Sequence, residues 1–214
     1  MSQSCDREGL ARVRMAALER RELLVQAALR VIAREGVAAA TTRAVVAEAG
    51  MPLASFHYVF HSRDELIADL IRYVVDDEAS AARAALSIEG DLPTTIRNGL
   101  KAFIDIVAAD PLREQAMLEL TQYALRTPEL SESARIQYES YYRAAAGILE
   151  AAAGQLGIEW KRPIPEMARI LITFTDGLTL GWLVDRDMAA TESVIDFAAD
   201  ALSALAFPKE GGDR

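Results

Sequence analysis

The sequence predicts an all-α protein, with an N-terminal helix-turn-helix head followed by a larger helical domain. Apolar residues recur at three-and-four spacing through nearly all of the 214 residues. Downstream of about residue 70 no stretch alternates with the period of two that marks a half-buried strand, and no segment repeats. Near residue 50, two short apolar runs are joined by a tight turn containing glycine. The hydrophobic share of 51% is enough for a sizeable core.

The first helix is read from Arg21, where Leu24, Ala27, Ala28, Val31 and Ile32 share one face, and Gly36 is expected to end it as a left-handed cap. Thr41 or Thr42 caps the next helix by accepting a backbone N–H; Val45, Val46 and Ala49 form its apolar side before Gly50 stops it. After Met51-Pro52 a third short helix begins, since proline is tolerated in a first turn, and Phe56 and Phe60 then fall one turn apart on a shared face. Ser62 caps a fourth helix carrying Leu66, Ile67, Leu70 and Ile71.

Further helices follow, separated by turn signals at "SIEGDLP", "ADP", "TPEL" and "QLGIEWKRPIP". Asp91 caps one with Pro93 in its first turn, and Ile96, Leu100, Phe103, Ile104 and Val107 form its apolar side. The segment from Pro111 to Thr127 contributes Met117, Leu120 and Leu125, and a long helix then carries Ile136, Tyr138, Tyr141, Tyr142, Ile148 and Leu149. The last two helices, about 164–186 and 190–206, are apolar on more than one face. Gly177 and Gly181 lie four apart there and allow another helix to approach closely, with Ile172, Leu180, Trp182, Leu183, Phe197 and Leu205 adding bulk. Such faces either meet a partner or close the protein's own core.

The lone cysteine, Cys5, sits in the polar stretch "MSQSCDREG", which excludes an intrachain disulfide, suits a reducing cytoplasm and makes a poor sensor thiol. No basic start leads into an apolar run, and no apolar stretch approaches the roughly 18 to 20 residues needed to span a bilayer, so a soluble protein is expected. The formal net charge is −9, but it is unevenly spread. Residues 1–65 hold nine Arg, no Lys and eight acidic residues, leaving 14 basic and 24 acidic residues downstream. A near-neutral head with its arginines on one face can meet phosphate, while the acidic remainder suppresses indiscriminate binding. An ordinary acidic surface has the same composition.

Two short helices around a glycine turn, buttressed by a helix on either side, suit a DNA major groove, which is about wide enough for one α-helix. The residues "TTRAVVAEAGMPLASFHYVFHSRDEL" resemble the DNA-binding region of TetR-family transcriptional regulators over about residues 18–70, with the Thr-Thr pair, the Ala-Gly turn, the aromatic third helix and the Ser-Arg-Asp-Glu-Leu start of the fourth in the family's order. The resemblance implies that Thr42 and Arg43 approach DNA, the hydroxyl toward phosphate and the guanidinium toward guanine O6 and N7. It places Leu53, Ala54, Ser55, His57 and Tyr58 toward the groove, and Phe56 and Phe60 in the core. His57 stands where the family usually has tyrosine, and Pro52 where a serine usually caps the helix. Arg63 replaces a usual lysine, and its guanidinium is expected to grip phosphate.

The resemblance further implies a small-molecule pocket in the larger domain, with Phe103, Met117, Gln122, Tyr123, Tyr138, Tyr142, Phe174 and Asp176 as candidate lining. Core packing is the competing role for each of these residues. Asp176 interrupts "ILITFTDGLTLGWLV", and a carboxylate buried there needs a hydrogen-bond or charge partner. The family's dimer of paired terminal helices makes Gly177, Gly181, Trp182, Phe197 and Leu205 the candidate interface.

His57 and His61 lie four residues apart, but only Asp64 and Glu65 are near enough to complete a metal site, so no metal and no cofactor is expected. The domains expected are a flexible arm over 1–17, the DNA-binding head over 18–68, a ligand-binding and dimerisation domain over 69–207 and a flexible tail over 208–214. Together they describe a cytoplasmic homodimer, most readily a repressor, that binds a palindromic double-stranded operator, is released by a small hydrophobic or aromatic effector and has no membrane partner. The alternatives are a helical enzyme, which would need a phosphate loop, a nucleophile-base pair or a metal cluster that the chain lacks, and a helical interaction module without DNA binding.

Overall fold

The computed structural model describes residues 3–84, 88 and 90–209, with side chains described over 17–74, 88 and 90–209. The chain forms α1 (Gln3–Glu35), α2 (Thr42–Glu48), α3 (Leu53–Val59), α4 (Arg63–Ala84), α5 (Leu92–Ala109), α6 (Pro111–Arg126), α7 (Ser131–Leu156), β1 (Ile158–Trp160), α8 (Ile164–Asp185), α9 (Met188–Ser203) and β2 (Ala206–Pro208). Short 3-10 turns at Val37–Ala39 and Pro128–Leu130 join α1 to α2 and α6 to α7. The chain divides into two units, one of residues up to Val74 with Leu112–Arg135, the other of Val75–Pro111 with Ile136 onward. The backbone of α1 is helical from Gln3, upstream of the first apolar position that periodicity picks out. The side chains of the arm, Cys5 among them, and tail residues 210–214 lie outside the described residues.

In the first unit, the α1 stripe of Leu24, Ala27, Ala28, Val31 and Ile32 is buried, as are Val45 and Val46 of α2 and Leu66, Ile67, Leu70 and Ile71 of α4. Gly36 ends α1, but at φ 85° and ψ 166° it occupies the extended positive-φ region open to glycine, not the left-handed helical cap expected. Thr41 is the cap of α2, its hydroxyl accepting from the Ala44 N–H at 3.2 Å, so Thr42 is the first helical residue. Gly50, at φ 65°, turns the chain between α2 and α3. Pro52 sits one residue before α3, as its N-terminal cap without a side-chain bond. Ser62 accepts from the Glu65 N–H at 3.0 Å, and the Glu65 carboxylate accepts from the His61 N–H at 2.8 Å, a reciprocal cap that starts α4.

Arg21 ties these helices together. It pairs with Glu65 at 2.9 Å and with Asp69, donates to the Val59 carbonyl, and lies 4.3 Å from the centroid of Phe60. Phe56 and Phe60 are each about 1% exposed, with ring centroids 5.4 Å apart.

In the second unit, Leu100, Ile104 and Val107 of α5 pack with Leu178 and Trp182 of α8 and Ile195 and Ala198 of α9. Ala145 and Leu149 of α7 pack with Met167, Ala168 and Leu202. Asp91 caps α5 through the Thr94 N–H at 3.0 Å. The strands β1 and β2 pair antiparallel with Glu159 opposite Phe207, and the Trp160 indole donates to the Leu149 carbonyl at 3.1 Å. They correct the expectation of helices alone downstream of residue 70: three-residue strands are too short to show alternation, and β1 lies inside a turn-rich break.

By length and composition α8 can cross a membrane, which corrects the expectation that no such stretch exists. Its apolar residues are interrupted by Arg169, Thr173, Thr175 and Asp176, so a search for an unbroken apolar run passes over it. Met167, Ala168, Leu178 and Trp182 turn into the unit's core, whereas Leu180 and Val184 are exposed.

Because Phe60 is enclosed on all sides and stacked by Arg21, Phe60→Ala is expected to destabilise the protein by about 3–5 kcal/mol. Equilibrium denaturation measures this, and a loss below about 1 kcal/mol would mean that the site collapses around the cavity.

Candidate functional site

Burial divides α3 into two faces. Phe56 points into the core, while Leu53, Ala54, His57 and Tyr58 are exposed and Ser55 is intermediate. Pro52 starts the helix in extended conformation, and the Phe60 N–H closes its last turn on the Phe56 carbonyl at 2.8 Å. The result is a two-turn helix pinned by its aromatic side, with Leu53, Ala54, His57 and Tyr58 outward. Arg43, in the first turn of α2, is also exposed, and Thr42 beside it is intermediate, its hydroxyl unused by the cap.

The described arginines of α1 and α2 fall into two groups. Arg30 and Arg34 pair with Glu48 at 2.8 and 3.1 Å and hold its carboxyl below the usual range through charge-assisted hydrogen bonds, while Arg21 is consumed by α4. Arg43 and Arg20 have no carboxylate partner among the described residues, and Arg20 lies 5.1 Å from the centroid of the Tyr58 ring. Arg20, partly buried, lies beside this face but sits outside every local motif. Only the fold brings it to Tyr58, and the nearest sequence signal is the excess of arginine over lysine in the head.

Arg63 faces inward as a three-way clamp. Its Nε donates to the Ala40 carbonyl at 2.8 Å, one Nη to the Val37 carbonyl, and the other to the Tyr123 hydroxyl at 2.8 Å. The Tyr123 hydroxyl donates to Asp64 at 3.2 Å, and Glu119, on α6 with Tyr123, accepts from the Val37 N–H at 2.9 Å. A crevice of about 410 Å³ lies along these residues, flanked by Gln122 and Arg126. Glu119 is the second residue that sequence reading passed over, since nothing near it in the chain marks it.

The candidate ligand residues do not form one cluster. Met117 is buried in the first unit, where Gln122 is exposed and Tyr123 is held by Arg63. Phe103 packs with the α5–α8–α9 core of the second unit. Tyr138, Tyr142, Phe174 and Asp176 gather where α7 meets α8. Tyr138 donates to Asp176 at 3.1 Å and lies edge-on to Tyr142 with centroids 6.0 Å apart. Arg169 stacks on Tyr142 at 4.5 Å, and both line an open groove of about 730 Å³ with Phe174, Thr173, Arg143 and Arg162. Burial pushes the Asp176 carboxyl above its ordinary range, with the Tyr138 hydrogen bond pulling it partly back. The Tyr138 hydroxyl is pushed up to about 12 by burial first and the neighbouring Asp176 charge second. Among the described residues no cation pairs with Asp176.

Of the candidate interface residues, Gly177, Gly181 and Phe197 are exposed. Trp182 is packed in the core with Arg186 stacked on it at 4.3 Å, and Leu205 packs against the core cluster formed by α7, α8 and α9 around Leu149, Met167 and Leu202. Among the described residues no group of three His, Cys, Asp or Glu side chains could hold a metal ion.

A helix-turn-helix with an exposed, pinned third helix defines a DNA-binding protein of the regulator class. Residues 24–70 match the model of bacterial regulatory proteins of the tetR family, and residues 95–206 match that of the C-terminal region of BetI-type transcriptional repressors. The chain belongs to the TetR family of transcriptional regulators, and is a DNA-binding protein, not an enzyme. It is 27% identical over 191 residues to the HTH-type nicotine-responsive transcriptional repressor HdnoR of Paenarthrobacter nicotinovorans, covering 88% of this chain and 96% of that one. The multidrug binding protein EbrR, solved with imidazole, is 27% identical with a TM-score of 0.65, over 91% of this chain and 98% of that one. A TetR regulator from Haloarcula marismortui ATCC 43049 shares the fold at a TM-score of 0.72 and 18% identity, over 88% of this chain and 99% of that one. Membership supports a location off the membrane, with α8 as a helix of the folded domain.

An acid whose folded pKa lies above its unfolded value stabilises the fold only while protonated, so the contribution is present below the ordinary carboxylate range and is lost as pH rises through the raised value. Asp176→Asn keeps an acceptor for Tyr138 and removes the charge. Its denaturation midpoint is expected to exceed that of the wild type at about pH 7 and to converge with it near pH 4. A variant less stable than the wild type at neutral pH would mean that the charge is compensated in the fold.

Proposed function

We propose that the protein is a homodimeric repressor that reads a palindromic operator through the exposed face of α3 and the start of α2, and releases it on binding an aromatic effector that carries positive charge. The observation that supports the DNA half is the division of α3, with Phe56 buried and Leu53, Ala54, His57 and Tyr58 outward beside Arg43 and Thr42. Ser55 lies at the edge of that face. Thr42 approaches phosphate, and Arg43 reaches a base edge. Reading a palindrome requires two heads related by a two-fold axis. The exposed apolar residues Leu180, Val184, Val194 and Phe197, beside Gly177 and Gly181, are the surface that supports a dimer; a Cβ added at either glycine meets nothing within 4 Å in the single chain, so the space is open to a second helix. A DNA-reading repressor of this kind works in the cytoplasm.

The charge of the effector follows from Asp176. A half-buried carboxylate with one hydroxyl donor and, among the described residues, no paired cation, bonded to Tyr138 beside the Tyr142 ring, favours a ligand that brings a cation and an aromatic surface. The relatives are consistent: HdnoR is named as nicotine-responsive, and EbrR has been solved with malachite green and with ethidium, both cationic aromatic dyes. Release follows by linkage, since an effector that favours a dimer geometry unfit for DNA lowers DNA affinity by the same factor that DNA lowers effector affinity.

The test begins with selection of bound duplexes from random DNA by the purified protein. A palindrome is expected, and Arg43→Ala is expected to relax base preference at one position per half-site, at a cost of about 1–3 kcal/mol in discrimination. Identical preferences in both proteins would remove the base contact from Arg43. With the selected duplex in hand, ethidium and malachite green are expected to raise the melting temperature of the protein and lower its DNA affinity. Tyr142→Ala and Asp176→Asn are each expected to weaken that response roughly tenfold or more, while dye-free DNA affinity is nearly retained. A full response in both variants would place the effector elsewhere.

A further inference from the structure

Between α1 and α2, the turn running from Gly36 to Thr41 carries the backbone straight into Thr42 and Arg43. Other helices hold it from both sides. From α6, the Glu119 carboxylate accepts the Val37 N–H at 2.9 Å, and a Cβ placed on Gly36 would come within 3.2 Å of both Glu119 oxygens. From the start of α4, Arg63 donates to the Val37 and Ala40 carbonyls, the second of these immediately before the Thr41 cap of α2. Tyr123, one turn beyond Glu119 on α6, accepts from Arg63, donates to Asp64, and lays its ring 5.1 Å from the guanidinium carbon. Val37 itself is buried; its N–H is satisfied by Glu119, and its carbonyl accepts from Arg63 and from the Ala40 N–H at 3.2 Å.

We propose that Arg63, Glu119 and Tyr123 are positioning residues of the DNA-reading head, setting the α1–α2 turn so that Thr42 and Arg43 stand where DNA meets them, and that Arg63 acts on this turn and not on phosphate. The proposal rests on the reading of Thr42 and Arg43 as DNA contacts. Three of the five N–H donors of Arg63 are already spent on the turn and Tyr123, in a planar fork that cannot swing toward phosphate without abandoning both carbonyls. A group that touches DNA must be held to within about 0.5 Å of its working position, and a surface turn of six residues does not achieve that alone. Glu119 and Tyr123 supply the missing fixture from α6, a helix outside the helix-turn-helix, within the same unit. The guanidinium also satisfies two carbonyls at once, which an ammonium cannot do in the same geometry.

Positioning and phosphate contact differ in salt dependence. Each phosphate contact adds about 0.9 to the slope of log affinity against log salt, whereas a positioning residue changes affinity and leaves the slope alone. The experiment measures affinity of the full-length wild type, Arg63→Ala, Arg63→Lys, Tyr123→Phe, Glu119→Ala and Glu119→Gln for the palindromic duplex selected by the wild type, across a salt series. Amide hydrogen exchange of the free proteins over residues 37–44 is followed in parallel. Tyr123→Phe and Glu119→Ala are expected to weaken binding roughly three- to tenfold, with the wild-type slope and faster exchange at Val37 and the first turn of α2. Glu119→Gln, which keeps an acceptor for Val37, is expected to restore most of the affinity, and both Arg63 variants to lose affinity with an unchanged slope. A slope lower by about one in Arg63→Ala, with Arg63→Lys near wild type, would make Arg63 a phosphate contact and overturn the proposal. Wild-type affinity and exchange in Tyr123→Phe and Glu119→Ala would overturn it equally, with the DNA reading intact. A wild type that selects no duplex would overturn the DNA reading, and this proposal with it.

Discussion

The head depends on the burial of one aromatic pair. Phe56 and Phe60 bracket the end of α3, and once both are enclosed beneath Arg21 the rotation of a two-turn helix is settled. Isolated helices of seven residues do not persist in water, because nucleation fixes several residues for one hydrogen bond. Helix α3 exists because its aromatic side is held, and its exposed side is whatever the sequence places opposite. Leu53, Ala54, His57 and Tyr58 are outward for that reason before any partner is considered.

Charge is managed with similar economy. The head is rich in arginine, yet several of its described arginines are engaged within the fold: Arg30 and Arg34 close on Glu48, Arg21 on Glu65 and Asp69, and Arg63 on two carbonyls and a hydroxyl. Among the described residues of α1 and α2, Arg20 and Arg43 are without a carboxylate partner, and Arg20 lies beside Tyr58 of α3. In a chain of net charge −9, arginines engaged in this way add little to sequence-independent attraction to DNA and leave more of the discrimination to base contacts.

How much was legible in the sequence depended on the range of the interaction. Helix periodicity and the Asp91 and Ser62 caps act within a few residues, and the spacing that buries Phe56 and Phe60 was readable for the same reason. Between Thr41 and Thr42 the sequence left a choice that only backbone geometry resolves. The resemblance pointed Arg63 toward phosphate in place of the usual lysine; the carbonyls and the tyrosine that engage it come from 23 to 60 residues away and leave no local mark. Trp182 was placed in the candidate dimer interface by the resemblance, and because α8 is apolar on several faces, periodicity cannot say which of them meets the core. Asp176 stood out as a polar break, and the need for a partner was readable, but Tyr138 as that partner required α7 to lie beside α8.

The most direct measurement is a map of where DNA touches the chain. The selected duplex, substituted at single positions with 5-bromouracil, is irradiated in complex with the full-length protein, and the crosslinked peptides are identified by mass spectrometry. Crosslinks within Thr42–Arg43 and Leu53–Tyr58, at symmetric positions in the two half-sites, are the expected result. Crosslinks confined to α5–α9, or none to α3, would contradict the assignment of the pinned helix as the reading element.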